Sequence, residues 1–118
     1  MIKALRWDRG QFAITVGKGD QVARQTVYGW VDQAKLWGIH RMADLYIVTH
    51  VTSGKVITRF GGGAGKRATA RAFCAAITPL CDWRDLDPDK IGADAALAER
   101  LHRIALTLTG ATTGSRFH

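Results

Sequence analysis

The stretch from residue 46 to residue 76 constrains this chain more than any other, because it reads as a strand hairpin that runs through a glycine-rich joint into a helix. Residues 45–51 and 55–60 are rich in β-branched and aromatic side chains. They flank Thr52, Ser53 and Gly54, so the loop ends on the residue best able to take positive φ. Such a loop is expected to place Tyr46, Val48, His50, Val56, Thr58 and Phe60 on one side of a sheet. Ile47, Thr49, Val51, Lys55, Ile57 and Arg59 then fall on the other, wetter side. Beyond the joint, a helix over 66–78 is expected to bury Ala72, Phe73, Ala76 and Ile77 and to stop at Pro79.

Lys66, Arg67 and Arg71 stand in the first turns of that helix, where the backbone dipole is already positive and Asp or Glu would be the stabilising choice. Each cation there costs about 0.3 kcal/mol or more unless an anion compensates. The joint approaches a phosphate-binding P-loop. However, Phe60 occupies the first glycine position and Arg67 the Ser/Thr that would hold magnesium, so nucleotide hydrolysis is not expected. What remains is a flexible entry, Gly61, Gly62, Gly63 and Gly65, whose amides suit a single phosphate or carboxylate beside Lys66 and Arg67. A plain connector carrying solvated cations is the competing reading.

Elsewhere the pattern is less forceful. Residues 2–7 and 11–16 read as a hairpin turning on Asp8, Arg9 and Gly10, and residues 21–43 as short strands joined by loops. A final helix over 93–109 carries Leu97, Leu101, Ile104 and Leu108 as one apolar stripe, followed by a frayed tail over 110–118. The expected fold is a single α+β domain with an antiparallel sheet of four or five strands and two helices on one face. At 118 residues the chain is long enough to fold around one core without disulfides or metal.

The net charge of +7 is uneven: residues 1–71 hold 12 Lys and Arg against 4 Asp, and residues 72–118 hold 5 against 6 acids. Lys55, Arg59, Lys66, Arg67 and Arg71 join into one basic patch if the outer sheet face lies beside the helix start. Such a patch suits nucleic acid or an acidic protein or nucleoprotein surface, with salt-sensitive and sequence-tolerant binding. Solubility alone is the other account of this charge. Trp7, Trp30 and Trp37 are candidate stacking platforms for unpaired bases, although at least two of them are expected in the core. His40, His50, His102 and His118 lack metal-ligand spacing, and Asp44 beside His50 and Lys55 stands without a second carboxylate. A non-enzymatic protein without cofactor or metal is therefore expected. Cys74 and Cys81 read as reduced structural thiols. No stretch is apolar enough to span a bilayer or to serve as a signal peptide, which points to a cytoplasmic protein without membrane contact.

The segment YIVTHVTSG at residues 46–54, with its following strand, glycine joint, Ala-rich helix and Asp82-Trp83, resembles small proteins carried by phages, prophages and plasmids. The resemblance covers residues 37–83. In size it is similar to phage inhibitors of host defence, including anti-CRISPR proteins, though many of those are acidic where this chain is basic. It implies a small inhibitor gripping an acidic protein or a nucleoprotein complex. The alternative is an assembly protein that dimerises through an edge strand or through the leucine stripe.

Overall fold

The computed structural model describes residues 5–17, 21–61, 66–84 and 95–109. Five strands, β1 (Trp7–Val16), β2 (Ala23–Asp32), β3 (Trp37–Met42), β4 (Leu45–His50) and β5 (Lys55–Phe60), form one antiparallel sheet in chain order. Helix α1 (Lys66–Ile77), a 3₁₀ turn (Thr78–Leu80) and helix α2 (Ala95–Thr109) complete the described chain. This is the expected α+β class.

The first strand departs from expectation. Residues 7–16 are one continuous strand paired with β2, with Asp8 opposite Val31, Arg9 opposite Trp30 and Gly10 opposite Gly29. Asp-Arg-Gly permits a turn without requiring one, and a ten-residue partner outweighs it. Residues 21–43 likewise hold one long strand and one short strand in place of several short pieces. Their connection is fixed by Asp32, a buried carboxylate that accepts the Trp37 N–H at 2.7 Å and the Ala34 N–H at 3.1 Å.

The β4–β5 hairpin forms as expected, and Gly54 takes φ +74°. A bulge beside Val48 and Thr49 changes the faces, however: Val48 opposes Thr58, but Thr49 opposes Val56 and His50 opposes Lys55. One extra residue in β5 therefore moves Val56 to the side of Thr49 and Lys55 to the side of His50, the reverse of strict alternation.

Both faces of the sheet are buried at the centre. On one, Trp37, Ile39, Val48 and Phe60 pack with Phe73, Cys74 and Ile77 of α1, with Trp83, and with Leu101 and Ala105 of α2. Ala70 and Cys74 join Phe73 and Ile77 on the buried face of α1, while Ala72 is exposed, contrary to expectation. A 3.6-residue period that includes residues 70, 73, 74 and 77 turns position 72 outward. The stripe of Leu97, Leu101, Ile104 and Leu108 is spent on this core.

The other face, expected to be wet, encloses Phe12, Val31, His40, Ile47 and Thr49 because the sheet curls. Thr15 of β1 donates its N–H to the Gly54 carbonyl at 2.7 Å and its hydroxyl to the Ser53 carbonyl at 3.1 Å, so the first strand reaches the β4–β5 turn. The Phe12 ring covers Gly38 and meets the His40 ring edge-on at 5.9 Å. Burial lowers the His40 pKa and favours its neutral form.

Cys74 and Cys81 are not joined in a disulfide. Burial, reinforced by the Asp32 charge, pushes the Cys74 thiol well above its ordinary value. Because the thiolate is the nucleophile, Cys74 in a Cys81→Ser variant is expected to ignore an aromatic disulfide reagent at pH 8 until denaturant is added. Rapid labelling of the native variant would contradict this burial.

Candidate nucleic-acid interface

Alternation along β1 and β2 puts Trp7 and Arg9 of the first strand beside Tyr28 and Trp30 of the second on the helix-bearing side. Helix α1 crosses this side with Arg67 and Arg71, four residues apart and hence on one helix flank. The side chains interleave. The Arg9 guanidinium lies 4.9 Å from the Tyr28 centroid and 4.8 Å from the Trp30 centroid. Arg67 approaches the same Trp30 ring at 4.8 Å, and Arg71 stands 5.9 Å from Trp7. Tyr46, 6.4 Å from Trp30, carries Arg41 at 6.0 Å and extends the surface towards β3 and β4.

Each cation–aromatic contact is worth about 0.5–1 kcal/mol at an exposed site, enough to hold an arginine in place without neutralising it. Among the described residues, none of Arg9, Arg41, Arg67 and Arg71 forms an ion pair, in contrast to Arg103, which meets Glu99 at 2.7 Å on α2. Arg71 is held below its ordinary pKa, first by burial and then by the Arg67 charge, and its Nε has no hydrogen-bond partner among the described residues. A cation in that state gains from an arriving anion.

The five cations expected to form one patch are thus divided. Arg67 and Arg71 belong to the surface just described. Arg59 does not, because it opposes Ile47 and lies on the far face of the sheet. Lys55 does not either: it begins β5, about 16 Å along the strand from Phe60, beyond which the helix starts. Gly62, Gly63 and Gly65 lie outside the described residues, as does the side chain of Lys66. Gly61 is described, and a Cβ there would meet the Leu45 side chain at 2.6 Å. Of the three tryptophans considered as platforms, Trp37 is fully buried, while Trp7 and Trp30 are half-buried on the arginine-bearing surface.

Sequence reasoning missed Arg9, Tyr28, Arg41 and Tyr46. A turn placed at residues 8–10 hid the i, i+2 alignment of Trp7 with Arg9, and the match to Tyr28 and Trp30 exists only once β1 pairs with β2.

A second polar grouping has the look of chemistry. His50 is fully buried, its Nε2 meets the Trp83 carbonyl and its Nδ1 lies 2.9 Å from the Ser53 hydroxyl. A carbonyl can only accept, so Nε2 carries a proton, and the Ser53 hydroxyl lies between Nδ1 and the His50 carbonyl, 3.4 Å away. That hydroxyl in turn accepts the Lys55 N–H at 3.2 Å. Every polar atom of the group is thereby engaged in tying the β4–β5 turn to the Trp83 segment, and the imidazole has no solvent access. Among the described residues no three His, Cys, Asp or Glu converge as metal ligands, and no helix is long and apolar enough to cross a membrane.

Comparison with family models, with curated proteins and with solved structures finds no match to this chain.

Proposed function

We propose that the protein is a non-enzymatic binding module that docks onto nucleic acid, free or within a nucleoprotein complex, through the arginine and aromatic surface of β1, β2 and α1. The observation that carries this reading is Trp30 with two guanidinium groups over its ring, Arg9 and Arg67, neither of them ion-paired among the described residues. Arginine is the side chain suited to phosphate because its planar fork can give two parallel hydrogen bonds. Stacking on aromatic rings limits the rotamer freedom that such long side chains would otherwise lose on binding. An acidic protein surface would answer the charge, but it gives no use to the interleaved rings, whereas every base presents a π-face. A nucleic-acid-bearing host-defence complex is the concrete partner that the phage resemblance adds to this reading.

Fluorescence anisotropy of labelled nucleic acids at about 50 and 200 mM salt tests the proposal. Counterion release predicts an affinity loss of about 20- to 150-fold across that range for roughly three or four neutralised phosphates. Replacing Arg67 and Arg71 by alanine is expected to weaken binding and to lower the salt slope by about 2, because each phosphate-contacting cation contributes about 1. An unchanged slope in that variant removes this surface from the function. No binding of any nucleic acid at the lower salt removes the function itself.

A further inference from the structure

Tyr28 is 57% exposed although its neighbour on the same strand face, Trp30, is half-buried against the core. Along this face the groups follow one another as Tyr28, Arg9, Trp30 and Arg67, each guanidinium within 5 Å of the ring beside it. The series begins on an aromatic ring open to solvent and continues through cations that no described carboxylate neutralises. We infer, resting on the nucleic-acid reading above, that the ligand is a single strand, one of whose unpaired bases stacks on Tyr28 while its phosphates are held by Arg9 and Arg67.

Spacing separates a single strand from a duplex. Residues two apart on a strand, as Tyr28 and Trp30 are, stand about 6.7 Å apart. Successive bases in a duplex are stacked about 3.4 Å apart, so each base face is covered by its neighbour and none is open to a protein ring. An unpaired strand can extend until its bases separate, and a base freed in this way can settle on a tyrosine or against a guanidinium plane. The energy comes from faces that only unpaired bases expose, about 1–3 kcal/mol per stacked base by alanine substitution. A protein that used arginines for duplex phosphates alone would gain nothing from an exposed tyrosine at the end of the series.

The test compares a labelled thymidine strand about 12 nucleotides long, within the span of roughly 4 to 16 that a small stacking domain covers, with a duplex of the same length. At about 50 mM salt the strand is expected to bind at least about tenfold more tightly than the duplex, and Tyr28→Ala is expected to weaken strand binding about tenfold. Tyr28→Phe keeps the ring and is expected to retain wild-type affinity. Because position 28 is exposed, circular dichroism of both variants should match the wild type, so a binding loss reports the contact and not the fold. Equal affinity for strand and duplex overturns the single-strand inference while leaving the nucleic-acid reading intact. Tyr28→Ala binding the strand as wild type does overturns the stacking contact. Failure of both ligands to bind overturns the nucleic-acid reading itself.

Discussion

Trp83→Ala is expected to remove about 3–5 kcal/mol of stability, the range for deleting a large aromatic side chain from a packed interior. Against a total of about 5–15 kcal/mol for a domain of this kind, that loss leaves a substantial unfolded fraction at 37 °C. The indole is 2% exposed and meets the Trp37 ring edge-to-face at 4.9 Å, and its Nε1–H donates to the Ile77 carbonyl at 2.8 Å. Truncation leaves a cavity between sheet and helix, a carbonyl at the C-terminal end of α1 without its donor, and the His50 imidazole without one wall of its enclosure. Urea unfolding should show the midpoint falling by about 2 M with the slope little changed. Tyr28→Ala, at an exposed position, should stay within about 0.5 kcal/mol of wild type. Similar losses in the two variants would mean that Trp83 is not part of the core.

The elements that could be read from the chain are those whose signals are local. The β4–β5 hairpin announces itself through Thr52, Ser53 and Gly54, and α1 through its apolar period and Pro79. What escaped depends on pairing between distant segments. Nothing within residues 7–16 says whether Asp8, Arg9 and Gly10 turn or continue, because the decision lies with Ala23–Asp32 across the ladder. The bulge at Val48 and Thr49 gives no local sign either, yet it reverses the faces of Lys55 and Val56. The curl of the sheet is also non-local. It makes buried positions of Ile47 and Thr49 on a face that alternation alone assigns to solvent.

The same distinction governs the candidate interface. Arg67 and Arg71 were legible because four residues on a helix is a fixed geometry. Arg59 keeps the outer side that alternation gives it, but α1 packs on the opposite side, and Lys55 stands at the end of β5 far from the helix start, so neither joins the pair. Arg9 became part of the surface through cross-strand registry with Trp30, a relation between residues 21 positions apart. The net charge of the first 71 residues raises the expectation of an anionic partner, and the interleaving of that charge with aromatic rings emerges only from β1, β2 and α1 together.

Gly29→Ala is the second large effect expected, and it tests how that surface is built. Gly29 lies where β2 crosses close to β3, just beyond the Trp30–Ile39 pair. A Cβ at this position would stand 2.1 Å from the Ile39 carbonyl oxygen and 3.0 Å from the His40 Cα, both of them backbone atoms that cannot rotate away. The two strands must therefore separate, at a cost at the upper end of the overpacking range, about 3 kcal/mol. The smaller entropy of the unfolded alanine chain returns at most about 1 kcal/mol. Gly10, directly opposite on β1, is the matched control: its nearest neighbour would be a Val31 methyl at 3.9 Å, an ordinary contact. Gly10→Ala is accordingly expected to be neutral or to stabilise by up to about 1 kcal/mol, since glycine weakens a strand interior. Trp30 is the residue after Gly29, so moving β2 off β3 also shifts the Trp30 ring relative to Arg67 on α1. Gly29→Ala should therefore lose nucleic-acid affinity beyond what its unfolded fraction explains, whereas Gly10→Ala should keep it. Equal stability and affinity in the two alanine variants would show that the close crossing at Gly29 neither limits the fold nor positions the surface.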